Sequence, residues 1–303
     1  MIKNTEERSF DRWVSFNEHT WPYSIFKQHD SELMLMWGTH ISSAAFTYST
    51  LKKNSAQWSD SPSKHFNASI KAASLLGNLK EWSQAFNDFE NWVNLTVLLT
   101  LASNLETYMA SVVQLALKSD PAVLIGATRS LDGAFVLKHG KPESIQSQEV
   151  ITGVTKGDWN ARVATIERIF DVCPSFIKAE LGKLESLRNI RNRFGHAFGR
   201  DIEEARKTGN VRKLPIERVT RKKVEELRGI TIGVAKELDS FLIQNHIGDF
   251  EALNFYHELY PHLHKHVNQG QHAQDFKKAI GRYGVGPRGK RYCKGLVAYW
   301  ESL

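Results

Sequence analysis

Cysteine is nearly absent: Cys173 and Cys293 are the only two in 303 residues, so no disulfide scaffold can be built. They stand 120 positions apart, which leaves no CxxC pair for zinc or redox work and fits a reducing compartment. Long hydrophobic runs are missing too. The most apolar stretch, Val93 to Ala102, already contains Asn94, Thr96 and Thr100, whereas a membrane-spanning helix needs about 20 apolar residues. The first residues, MIKNTEERSFDRW, lack the apolar centre of a signal peptide, so a cytoplasmic protein with no membrane partner is expected. What is present is 41% hydrophobic and 11% aromatic residues, enough for a substantial core and too much for wholesale disorder.

Charge is distributed unevenly. Residues 1–187 hold 18 Lys+Arg against 20 Asp+Glu, and residues 188–303 hold 22 against 13, within a total of +7. A basic C-terminal half suits a polyanion such as nucleic acid, or else a solvated surface.

Apolar residues recur at three- and four-residue steps almost throughout, and strand-type alternation is scarce, so an all-α helical bundle is expected. One helix is predicted over 31–54. A long helical region is predicted from about 65 to 118, with a break near Gly77-Asn78 or over 86–91. Asp158 is expected to cap a helix reaching about Asp171. Pro174 should open the next helix, running to about His196, and Thr220 should cap one over 221–246. Three regions are expected: an N-terminal helical region 1–84, a bundle 85–246 with an irregular insert at 119–157, and a basic C-terminal extension 247–303.

The most informative segment is Leu184 to Arg200, LESLRNIRNRFGHAFGR. At 100° per residue Leu184, Leu187, Ile190 and Phe194 make a narrow apolar stripe. Arg188, Asn192 and His196 follow at i, i+4 and i+8 on a neighbouring face, with Arg191 between the two. This set suits attack on a phosphodiester. Arginine holds a phosphate bidentately and keeps its charge. Histidine moves a proton near neutrality, and asparagine can orient either partner. The negative charge is met by arginine, so neither a metal nor another cofactor is called for.

The run Arg191-Asn192-Arg193-Phe194-Gly195-His196 resembles the Arg-x(4–6)-His signature of the HEPN superfamily, in which a polar residue, often Asn, follows the Arg. The resemblance covers about residues 85–245 and implies a HEPN-like bundle there; the additional N-terminal helices and the basic C-terminal extension lie outside it. It further implies a metal-independent endoribonuclease acting as a homodimer, of the kind found in toxin–antitoxin and antiphage defence systems, with an antitoxin or regulatory protein as a partner. Arg191 and His196 become the catalytic pair and Asn192 their polar support, while Arg188 is added from helix geometry and Arg193 as an RNA contact. One branch of the family carries a Tyr two positions after the His; here that position is Phe198, so regulation by nucleotidylation there is not expected.

The tail Phe276 to Lys294 interleaves aromatics with cations. Arg282, Tyr283, Arg288, Lys290, Arg291 and Tyr292 are expected to contact single-stranded RNA, charge holding the backbone and tyrosine stacking on bases. Gly284 to Lys290 matches part of a P-loop, but Arg291 stands where a magnesium-binding hydroxyl belongs. His257, His262, His264 and His266 lack the carboxylate or thiolate partners of a zinc site. Glu106, in an apolar helical run, is expected either to pair with Arg188 or Arg191 or to face solvent. The alternative function is a non-catalytic helical module that binds RNA or protein.

Overall fold

The computed structural model describes residues 8–67, 75–140, 147–197, 217–262, 268–282 and 288–303. Among them are eleven α-helices and no strand, so the fold is all-α. In chain order these are α1 (Trp21–Lys53), α2 (Leu79–Ser119), α3 (Gly133–His139), α4 (Ser147–Thr155), α5 (Trp159–Phe170) and α6 (Ser175–Ala179). There follow α7 (Leu181–Ala197), α8 (Arg221–Leu242), α9 (Phe250–Leu259), α10 (Gln269–Gly281) and α11 (Lys290–Ser302).

Several boundaries follow directly from local chemistry. α2 begins just after Gly77-Asn78: Asn78 Oδ1 accepts from Glu81 N at 3.0 Å, and the Glu81 carboxylate accepts from Gly77 N at 2.9 Å, a reciprocal cap. It then continues unbroken for 41 residues, with no interruption over 86–91. Asp158 accepts from Ala161 N at 2.9 Å and starts α5. Thr220 Oγ1 accepts from Lys223 N at 3.2 Å and starts α8.

Other boundaries differ from expectation. α1 starts ten residues earlier than the apolar spacing suggests, because Thr20 caps it and Tyr23 and Phe26 are its first buried residues. The predicted helix from Pro174 to His196 is divided at Glu180 into α6 and α7. The stretch 119–157 contains α3 and α4 rather than irregular chain alone. The glycine-rich tail carries two amphipathic helices, α10 and α11.

The chain forms two compact units that interleave along the sequence. The first comprises Met1–Phe26, Leu105–Leu181 and Ile232–Leu303, and the second Lys27–Asn104 and Gly182–Thr231.

The first unit is organised around the end of α8, where a π turn, Ile243–Ile247, replaces the regular ladder. Such a turn leaves carbonyls without helical partners. Side chains meet four in succession. Arg129 donates to Gln244 O at 2.6 Å and Asn245 O at 2.9 Å, Ser119 to His246 O at 2.7 Å, and Arg12 to Ile247 O at 2.8 Å. Arg12 also donates to Asp132, the cap of α3, at 2.8 Å and to Ser119 O at 2.9 Å. Burial lowers the Arg12 pKa, while Asp132 opposes that shift. Gly248 follows the turn at φ +55°, and a Cβ there would sit 2.4 Å from Arg12 O, so glycine is required twice over.

In the same unit Asp239 is fully buried and accepts from Thr20 Oγ1 at 2.5 Å and Thr20 N at 3.2 Å. Burial raises its pKa despite those bonds. Glu251 accepts from Trp21 N at 2.9 Å, and burial pushes its pKa up to about 8.

The second unit packs α1, α2, α7 and α8 through Leu33, Trp37 and Ala44, through Leu95, Leu98 and Leu101, through Leu184, Leu187 and Ile190, and through Val224 and Leu227, all buried. Two asparagines on α2 lie inside this apolar set. Asn94 accepts from Trp37 Nε1 at 3.0 Å and donates to Val219 O at 3.1 Å. Asn91 donates to Glu217 O at 2.9 Å and accepts from Val219 N at 2.8 Å. Together they hold segment 217–219 on α2, just before α8 begins.

Candidate active site

α7 buries the predicted stripe: Leu184, Leu187 and Ile190 are 0%, 2% and 4% exposed, and Phe194 is half-buried. Burying this stripe turns the polar face outward, where Arg188, Arg191 and Asn192 are all half-buried. Arg191 Nη1 donates to Asn192 Oδ1 at 3.2 Å, so the two motif residues are in direct contact. Arg188 grips Glu185, one turn earlier, at 2.5 and 2.9 Å, and touches Asn189 at 3.2 Å. His196 falls in the last turn of α7, but its side chain lies outside the described residues.

Arg193 takes another direction. Its guanidinium meets the Glu217 carboxylate at 2.8 and 3.0 Å. Glu217 is followed by Arg218, which pairs with Asp88 on α2, and Arg221 reaches Glu90 at 2.8 Å. The Asn91 and Asn94 contacts fix the backbone of this segment. Neither asparagine is among the expected site residues; their signal in the sequence is an amide placed within an otherwise apolar helical face.

The tail residues belong to the first unit, not to the unit that holds α7. Arg282, Lys290 and Arg291 are exposed. Arg288 and Tyr292 are interior, 2% and 0% exposed, so neither presents itself to an external strand. Arg288 lies 3.9 Å over the Phe16 ring and donates to Asn17 Oδ1 at 3.0 Å. Tyr292 meets Phe10 and Phe16 edge-on at 5.7 and 4.9 Å. The spacing of Tyr292, Leu296 and Trp300 marks this inward face, while Lys290, Arg291 and Lys294 occupy the outward one. Tyr283 and the P-loop-like residues Gly284 to Pro287 lie outside the described residues.

The Glu106 carboxylate accepts from Arg162 at 2.9 Å within the first unit. His257 packs on Trp300 at 5.3 Å, and His264 and His266 lie outside the described residues. Among the described residues no group of three His, Cys, Asp or Glu side chains could hold a metal ion. No described helix is long and apolar enough to cross a membrane.

Charge follows the units rather than the halves of the sequence. The residues of the second unit carry 20 Lys+Arg against 13 Asp+Glu, and those of the first carry 20 against 20. The whole excess of +7 thus resides in the unit that contains α7. No protein-family model, curated protein or solved structure matches the chain.

Proposed function

We propose that this chain is a metal-independent endoribonuclease of HEPN type, working in the cytoplasm as a homodimer and serving as a toxin or antiphage effector restrained by an antitoxin or regulatory protein. The observation that carries this reading is the Arg-Asn-x-x-x-His run at the end of α7, with Arg191 bonded to Asn192. The localisation of all net positive charge in the same unit supports it.

In this reading Arg191 and Arg188 hold the scissile phosphate, and Asn192 sets the Arg191 fork. The ribose 2′-oxygen attacks phosphorus and the bond to the 5′-oxygen breaks. His196 accepts the 2′-hydroxyl proton, or donates the one that the leaving oxygen needs. The products carry 2′,3′-cyclic phosphate and 5′-hydroxyl ends. The test incubates purified protein with RNA in EDTA beside His196→Ala and Arg191→Ala. Cleavage lost in both variants is expected, and equal cleavage by all three proteins ends the proposal.

A second reading, a non-catalytic helical module that binds RNA or protein, draws on the grip of Arg188 on Glu185, which occupies the guanidinium fork. It predicts salt-sensitive binding that survives His196→Ala, with no cleavage under any condition.

A further inference from the structure

The second unit carries a run of aromatic rings along the N-terminal half of α2 that its core does not absorb. Trp82 and Phe86 stack at 5.1 Å, 22° from parallel. Phe89 and Trp92 follow at 6.1 Å and 18°. The first pair is half-buried against His40 and Tyr48 of α1. The second pair is open, with Phe89 47% and Trp92 43% exposed. Phe89 keeps an edge contact with His40 at 5.3 Å, and the two neighbouring rings together offer flat π surface on one helix face.

We infer that Phe89 and Trp92 form a stacking platform for unpaired bases of a single RNA strand. This deepens the nuclease reading and rests on it for the identity of the ligand. Near-parallel rings allow consecutive bases to be laid in the same orientation, and every base has a π face, so such a platform is indifferent to sequence. A duplex, whose bases are already stacked on one another, gains nothing there.

Direct contacts link the rings to α7. Asp88, beside Phe89, pairs with Arg218; Arg218 adjoins Glu217; and Glu217 pairs with Arg193 on α7. Arg218 and Asp88 are 65% and 62% exposed at their side chains, so their pairing is weak and Arg218 can exchange it for a phosphate. The +7 excess of this unit favours a polyanion over an apolar protein surface as the occupant.

The test measures binding of a fluorescein-labelled 2′-O-methyl RNA 12-mer, which cannot be cleaved by 2′-hydroxyl attack, as a single strand and as a duplex. Full-length wild type is compared with Phe89→Ala, Trp92→Ala, Trp92→Leu and Arg191→Ala. The single strand should bind wild type at least about 10-fold tighter than the duplex. It should lose about 10-fold on removal of either ring, including Trp92→Leu, which keeps apolar bulk without an indole face. Unchanged single-strand affinity in the ring variants overturns the platform. So does a Trp92→Leu protein that binds like wild type, or ring variants that merely abolish self-association without RNA binding by any protein. Cleavage of unmodified RNA, scored separately, keeps the two readings apart. Ring-dependent binding without Arg191-dependent cleavage removes the nuclease and leaves the platform. Arg191-dependent cleavage with ring-independent binding does the reverse.

Discussion

Asn94 accepts the indole N–H of Trp37 at 3.0 Å inside the second unit, and its own amide N–H holds the carbonyl of Val219. A single buried side chain thus joins α1, α2 and the start of α8. Asn94→Ala leaves the indole and the carbonyl without these partners. A loss of about 2–3 kcal/mol is expected, since each buried polar group so stranded costs about 1–3 kcal/mol. Urea denaturation monitored by tryptophan fluorescence checks it. A change below about 0.5 kcal/mol would mean that water replaces the amide.

Arg12 predicts a larger effect in the first unit. It is 4% exposed and bonded to Asp132, Ser119 and Ile247 O. Arg12→Ala removes the cation paired with Asp132 and one of the two side-chain donors to Ile247 O, and should cost about 3–5 kcal/mol. Arg12→Lys, which supplies charge without the fork, should recover only part of that. Thermal unfolding of the three proteins gives the order.

The proposed catalysis makes Asn192 a positioning residue for Arg191. Asn192→Ala should lower kcat by about 10–100-fold with little change in RNA affinity, as expected when a reacting geometry loosens. An equal fall in affinity would mean that Asn192 binds RNA itself.

In the proposed function Glu185, which holds the Arg188 guanidinium, competes with phosphate for it. Glu185→Gln should therefore tighten RNA binding and steepen the plot of log affinity against log salt by about 0.7, one added phosphate contact on a single strand. An unchanged slope would show that Arg188 stays away from the nucleic acid.

Glu251 makes stability depend on pH. Its folded pKa is raised to about 8 from an ordinary 4.5, so the folded state holds a proton that the unfolded chain releases. Its contribution is complete below pH 4.5 and is lost as pH rises to about 8. The melting temperature of wild type should fall over this window relative to Glu251→Gln. Parallel profiles for the two proteins would assign the slope to other groups.

Arg288 and Tyr292 separate interior from interface. Tyr292→Phe and Arg288→Met should alter unfolding but leave RNA affinity and its salt dependence unchanged, because both residues face Phe16 in the first unit. Filter binding across a salt series decides this.

Some of these relationships were legible beforehand. The stripe of Leu184, Leu187 and Ile190, and the caps Asp158 and Thr220, depend on residues within two helical turns of one another. The late start predicted for α1 came from weighing apolar spacing without the Thr20 cap. The contact of Glu106 with Arg162 is not legible locally, because helix spacing says which face a carboxylate occupies, not which helix comes to meet it. The inward turn of Arg288 was hidden because a long cationic side chain reads as solvent-facing in any local pattern, until Asn17, 271 positions away, supplies its partner.

From the sequence alone come the helical class, the position of the Arg-Asn-x-x-x-His run and the excess of cations, since these follow from neighbours along the chain and from counting. Only the tertiary structure decided where that charge collects. The interleaved units set aside the cations of the tail and group those of α7 and the start of α8 with α1 and α2. Such grouping is fixed by buried contacts between residues more than a hundred positions apart, such as Asn91 with Val219, and no local pattern encodes them.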